Sequence, residues 1–179
     1  MARMRELYTS KVTAELAKEF NIANVHQIPK ITKVVVNAGV GRASVDAKRL
    51  EAVVKGLAEI TGQAPVVTKA KKSIAGFKLR EGVSIGATVT LRGEKMYEFL
   101  DRLVSVALPR VRDFRGIKGN AFDGHGNYSL GIREHGVFPE IPFEEASEPF
   151  GLQVNVSTTA ENDEQAKALL THLGFPFKG

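Results

Sequence analysis

Residues 83–92 read Val83-Ser84-Ile85-Gly86-Ala87-Thr88-Val89-Thr90-Leu91-Arg92. Val, Ile, Ala, Val and Leu alternate with Ser84, Gly86, Thr88, Thr90 and Arg92, and a period of two sends the two sets to opposite faces of a strand. One face is apolar, and the other is small, polar and left open. A strand buried on both faces would be apolar throughout, so this stretch argues for an antiparallel sheet covered on one side only.

On the C-terminal side, Met96, Phe99, Leu100, Leu103, Val104 and Ala107 recur at helical spacing until Pro109 ends the pattern. Two further strands are expected at Asn127–Arg133 and Gly151–Thr159, then a helix near 163–173 that stops at Gly174 and Pro176. On the N-terminal side, Pro65–Lys69 reads as a short strand and Ile31–Asn37 as a β-rich one. Between them Leu50, Val53, Val54, Leu57 and Ile60 predict a helix from about 46 to 61, opened by Asp46 and closed by a left-handed Gly62. Tyr8, Val12, Leu16 and Phe20 predict an amphipathic helix over 3–20, with Arg3, Arg5, Lys11 and Lys18 toward solvent. The resulting order, α-β-α-β-β-α-β-β-α, predicts an α+β fold: a mainly antiparallel five-stranded sheet, helices packed on one face, the other face open.

The chain has 179 residues, 43% hydrophobic and 25% charged, which suits a single domain spanning 1–179 and excludes disorder or a fibrous repeat. No apolar run approaches a membrane span and the start carries no signal core, so a soluble, unexported protein without a membrane partner is expected. The absence of cysteine excludes disulfides, thiolate metal sites and thiol nucleophiles, and fits a reducing cytoplasm.

The net charge of +5 is unevenly spread. Residues 1–64 hold 10 basic and 6 acidic side chains, 65–118 hold 12 and 5, and 119–179 hold 3 and 9. A basic two-thirds followed by an acidic third predicts a polyanion on one side and a cationic partner on the other.

Three long loops, 70–82, 109–126 and 134–150, stand out, because loops of this length in a compact chain are usually functional. The first carries Lys69, Lys71, Lys72, Lys78 and Arg80 against Glu81, with Gly76 and Gly82 for flexibility and Ile74, Phe77 and Leu79 interleaved. It either wraps phosphates while an aromatic packs on sugar or base, or is a solvated hairpin. The second contains Arg110, Arg112, Arg115 and Lys118 around Phe114. The third holds Glu134, Glu140, Glu144, Glu145 and Glu148 with no Lys or Arg, so it repels nucleic acid and suits a basic protein or plain solvent. Across the open face, Asn37, Thr88, Thr90, Arg92, Gln153 and Asn155 are short or planar groups able to hydrogen-bond ribose and phosphate.

Enzyme chemistry has little foothold. Gly39-Val-Gly41-Arg-Ala-Ser44 follows a strand, but Ser44 stands where a dinucleotide fingerprint needs glycine, and no acidic residue ends the next strand. Asp123, His125 and His135 match no metal-ligand spacing and lie among glycines that suggest exposed loops. No cofactor is expected. The competing readings are a nucleotide-dependent enzyme using the 39–44 turn and an RNA chaperone without a preferred target.

Several motifs in order resemble one family. These are Leu57–Ser73 (LAEITGQAPVVTKAKKS), Ser73-Ile-Ala-Gly-Phe-Lys78, Thr90-Leu-Arg-Gly-Glu94, Arg112-Asp-Phe-Arg-Gly116, Phe122-Asp-Gly-His-Gly-Asn-Tyr128 and Phe138-Pro-Glu-Ile141. Together they are similar to the bacterial large-subunit ribosomal protein L-five family over nearly the whole chain. One departure is His135-Gly136, where that family leads one to expect Gln and a larger apolar residue.

The resemblance implies a non-catalytic, cytoplasmic protein of the large ribosomal subunit that holds 5S rRNA in the central protuberance. It implies 5S rRNA contacts at Lys33, Asn37, Gln63, Thr68, Thr88, Thr90 and Arg92, and a loop reaching P-site tRNA with Lys71, Lys72, Ser73, Gly76, Phe77, Lys78 and Arg80. It also implies an intersubunit bridge to small-subunit protein S-thirteen through Arg110, Arg112, Glu140, Glu144 and Glu145. The remaining implied partners are 23S rRNA and neighbouring 5S-binding proteins, around a single copy of this chain.

Overall fold

The computed structural model describes residues 2–41, 47–142 and 149–178. The strands are β1 (Ile31–Gly39), β2 (Val66–Lys69), β3 (Ser84–Leu91), β4 (Tyr128–Ile132) and β5 (Leu152–Thr158). They form one five-stranded antiparallel sheet in the order β2-β3-β1-β5-β4, and the fold is α+β as the strand patterns predict. Its helices are α1 (Arg3–Leu7), α2 (Thr13–Glu19), α3 (Ala47–Thr61), α4 (Gly93–Arg102) and α5 (Asp163–His172).

The helix expected over 3–20 is interrupted by a π-helical turn at Tyr8–Val12, and α4 runs on through a second one at Leu103–Ala107. Gly62 ends α3 at φ +64, the left-handed stop that the sequence predicts. Asp46, expected to open α3, lies outside the described residues, as do residues 42–44 of the turn at Gly39–Ser44. Among the described residues no helix is long and apolar enough to cross a membrane.

The chain contacts resolve into two compact units. The first comprises Met1–Val34, Leu91–Leu130 and Asn155–Gly179, and the second Val35–Thr90 and Gly131–Val154. In the first, α1 packs on α4 and α2 on α5, burying Val12, Leu16, Phe99, Leu100, Leu103, Leu169 and Leu170. Arg3 and Arg5 reinforce the first contact with ion pairs to Asp101 and Glu94, and His172 on α5 bridges Glu15 and Glu19 of α2 at 2.9 and 3.0 Å. In the second, Val53, Leu57 and Ile60 of α3 are buried. Val54 and Ala58 share an apolar groove with Val67 of β2, which places α3 over the Val67 face.

The strand alternation holds over most of the sheet, although in β3 Ile85 is only half-buried and Gly86, on the alternate side, is buried. Val34, Val36 and Ala38 of β1, Ala87, Val89 and Leu91 of β3, and Leu152, Val154 and Val156 of β5 are buried. Asn37, Thr88, Thr90, Gln153 and Asn155, on the alternate side, are half-buried or exposed.

Candidate nucleic-acid interface

In the second unit β2 pairs antiparallel with β3, Val66 opposite Thr88 and Thr68 opposite Gly86. Residues paired in this way present their side chains on the same face, so Val66, Thr68 and Thr88 share the open side while Val67 and Ala87 share the covered one. Gly86 lets the strands close up. A Cβ there would sit 2.7 Å from the Ala38 carbonyl oxygen and 3.0 Å from Thr68 Oγ1.

Two of the polar groups on this side are held by hydrogen bonds. Thr88 Oγ1 donates to the Val36 carbonyl at 3.3 Å, which leaves its lone pairs as acceptors. Gln63 Nε2 donates to the Thr90 carbonyl at 3.2 Å, fixing the amide beside the end of β3. The Thr90 side chain is exposed, and Asn37 is half-buried. Val66 is 66% exposed, an apolar spot among hydroxyls that the sequence reading missed because Pro65–Lys69 lacks a visible alternation.

The segment 70–82 is not structureless. The Ala70 N–H donates to the Val83 carbonyl at 2.8 Å and the Gly82 N–H to the Ala70 carbonyl at 2.9 Å, so the β2–β3 ladder continues into it. Ile74 and Leu79 then form a second antiparallel bridge around a 3-10 turn at Ala75–Phe77. Gly76, expected to supply flexibility, sits inside that turn. Ser73 Oγ accepts from the Glu81 backbone at 2.9 Å, so its hydroxyl shapes the loop. Lys78 occupies the left-handed region at φ 51, which costs a non-glycine residue about 1 kcal/mol and keeps a cation where glycine would be easier. Phe77 is 76% exposed at the tip, with Lys71, Lys72, Lys78 and Arg80 all exposed.

In the first unit, Lys33 is half-buried on β1 and Arg92 is exposed at the N-cap of α4. Arg110 closes a 3-10 turn at Leu108–Arg110, and Arg112, Arg115 and Lys118 follow, all exposed, with Phe114 half-buried. This stretch is pinned at Ile117, whose N–H donates to the Pro176 carbonyl at 2.8 Å and whose own carbonyl accepts from Lys178 at 2.9 Å. Tyr128 OH donates to the Lys118 carbonyl at 2.7 Å, and burial pushes this phenol up to about 12, so it remains a donor throughout the physiological range. Phe122, Tyr128 and Phe177 cluster beneath, with centroids 4.8 to 6.1 Å apart.

Counting cations from sequence overstates those available. Arg3 and Arg5 pair with Asp101 and Glu94, and Lys11 and Lys55 lie near Glu15 and Glu59 on their own helices. Lys71, Lys72, Lys78, Arg80, Arg92, Arg110, Arg112, Arg115 and Lys118 make no ion pair among the described residues. Lys18, Lys30, Lys33, Arg49, Lys69, Arg133, Lys167 and Lys178 make none either, but they are spread along the chain, whereas the two loops place exposed unpaired cations close together in sequence.

Of the acidic segment, Glu134 is exposed and Glu140 half-buried, while Glu144 and Glu145 lie outside the described residues. His135, expected in an exposed loop, is 2% exposed. Its ring stacks on Phe150 at 3.9 Å and 14°, its Nδ1 accepts from the Phe150 backbone at 3.3 Å, and the pair packs against Gly56 of α3. A flat aromatic partner accounts for a ring at this position, and nothing in the local sequence signals it, since Phe150 is fifteen residues away. Among the described residues no group of three or more His, Asp or Glu side chains is placed to hold a metal ion.

Comparison with known proteins gives this arrangement a context. A family model described as "Ribosomal protein L5" matches residues 24–80, and a second model, for the C-terminus of the same ribosomal family, matches 84–177. The chain is 58% identical over 177 residues to the "Large ribosomal subunit protein uL5" of Anaeromyxobacter sp. (strain Fw109-5), covering 99% of this chain and 98% of that one. It is 56% identical over 178 residues to the protein of the same name from Geotalea uraniireducens, covering 99% of each. For the one from Gloeothece citriformis the figure is 54% over 176 residues, 98% of each. With both parts of the fold matched and relatives aligned from end to end, the chain belongs to the ribosomal protein L5 family, the structural, non-enzymatic proteins of the large ribosomal subunit.

Proposed function

We propose that this protein fixes 5S rRNA in the central protuberance of the large subunit of the cytoplasmic ribosome, working as one functional domain over residues 1–179. The carrying observation is the division between a rigid polar sheet face and two loops of exposed cations without ion-pair partners among the described residues. Asn37, Gln63, Thr68, Thr88 and Thr90, with Lys33 and Arg92, are held on or beside strands and suit the wide, shallow groove of folded RNA, where hydroxyls and phosphates are within reach. The 70–82 hairpin presents Phe77 and its lysines beyond the sheet, a shape suited to the backbone of P-site tRNA.

Contacts with small-subunit protein S-thirteen in an intersubunit bridge are assigned to Arg110 and Arg112 and, separately, to Glu140, Glu144 and Glu145. The chain acts as a single copy, beside 23S rRNA and neighbouring 5S-binding proteins. Competition between 5S rRNA and bulk tRNA for the purified chain at physiological salt tests the reading. Preferential capture of 5S rRNA is expected, and equal competition would replace it with that of an unselective RNA chaperone.

A further inference from the structure

The turn Phe122-Asp-Gly-His-Gly-Asn-Tyr128 takes no part in the proposed RNA contacts, yet its polar groups are tied with unusual completeness. Asp123 Oδ1 accepts from the backbone N–H of His125 at 2.9 Å and of Asn127 at 3.0 Å, while Oδ2 accepts from Asn127 Nδ2 at 2.7 Å. From α5, Asp163 Oδ2 accepts from Gly124 N–H at 3.1 Å and Oδ1 from Gly126 N–H at 3.0 Å.

An aspartate followed by glycine is chemically vulnerable, because no side chain shields the next backbone nitrogen from the carboxyl carbon. In the reaction, the Gly124 nitrogen bonds to Asp123 Cγ, the amide proton is lost, and one carboxyl oxygen departs as water, leaving a five-membered succinimide. Water then adds to one of the two ring carbonyls. Opening at the side-chain carbonyl restores aspartate, and opening at the backbone carbonyl routes the chain through the side chain as isoaspartate. One water leaves and one returns, with no redox change.

We propose that Asp123–Gly124 is a spontaneous isoaspartate site which the fold silences through Asn127 and Asp163, and which opens when the chain unfolds or α5 comes away from the turn. Both reacting groups are occupied in the folded chain. A departing oxygen must give up its own hydrogen bonds, two at Oδ1 or one at Oδ2, and the attacking nitrogen is tethered to a different element. The same bonds, with that from the Asn127 side chain foremost, lower the Asp123 carboxyl from its ordinary 3.8 to about 2, although it is exposed. The protonated form, from which water departs, is thereby depleted by roughly tenfold to a hundredfold at neutral pH. Isoaspartate at 123 is then a chemical record of time spent unfolded, carrying the free α-carboxyl that a repair carboxyl methyltransferase would recognise.

The test incubates three samples at neutral pH: the folded chain, the chain in urea, and the folded Asp163→Ala variant. Isoaspartate is read by mass spectrometry in the tryptic peptide between Lys118 and Arg133. Formation in urea at roughly tenfold the folded rate or more is expected from the depletion of the reactive form, and D163A should fall in between because it frees the Gly124 nitrogen while leaving the Asp123 carboxylate bonded. Equal rates in the folded and urea samples overturn the proposal. So does a D163A chain that keeps its far-UV circular dichroism and still matches the folded wild type. If D163A does not fold, the wild-type pair decides alone.

Discussion

The hairpin at 70–82 and the turn at 122–128 are both glycine-punctuated surface segments, yet they distribute their polar groups in opposite ways. At 122–128 the side chains close on the backbone: Asp123, Asn127 and Asp163 all accept or donate within the turn or to α5. At 70–82 the backbone closes on itself through Ile74 and Leu79, and the cationic side chains are left outward without ion pairs among the described residues. The first arrangement stabilises a shape. The second uses a stable shape to present charge, and a desolvating, anionic partner is what such charge can gain from. The charge number in the sequence cannot distinguish the two uses, since Arg3 and Arg5 count as cations but serve to hold α1 on α4.

The contrast can be broken most sharply by changing Lys71, Lys72, Lys78 and Arg80 together to alanine. If all four lie on phosphate, the slope of log affinity against log salt for the ribosomal RNA complex should fall by about three units. An unchanged slope in a salt titration would show that the loop's charges do not meet RNA in that complex. Gly86→Ala probes the rigid face instead. Its Cβ would lie 2.7 Å from a backbone oxygen, so β3 must shift, and a stability loss of about 1–3 kcal/mol is expected in urea denaturation.

Thr90→Val should leave stability unchanged and weaken RNA binding by about 1 kcal/mol, roughly fivefold, because it removes one hydrogen-bonding hydroxyl. An affinity equal to wild type would take Thr90 out of the interface. The smallest effect is on the turn. Because folding depresses the Asp123 carboxyl, its contribution to stability is fully present above pH 3.8 and is lost as pH falls through about 2. The amides of His125 and Asn127 should therefore stay protected from hydrogen exchange at pH 4 and lose protection only in stronger acid.

Much of this was legible beforehand because it depends on local periodicity. The two-residue alternation at 83–92 specified a covered and an open face, and the helical spacing of Met96 to Ala107 gave α4. Even the stop at Gly62 follows from backbone chirality alone. What could not be read were features depending on residues far apart in the chain. His135 looked exposed because its neighbours are glycine and glutamate, and only Phe150 and Gly56 explain its burial. The 70–82 segment reads only as a long loop or a solvated hairpin, because bridge pairing such as Ile74 with Leu79 leaves no repeating signature in so few residues.

The amino-acid sequence by itself determined the order of elements, the one-sided sheet and the family, because each rests on short-range pattern or on motifs read in succession. Tertiary structure alone decided which cations remain available, where His135 lies, and that Asp163 locks a turn nearly forty residues upstream. Those outcomes depend on through-space distances of about 3 Å between groups remote in sequence, and no local pattern encodes such distances.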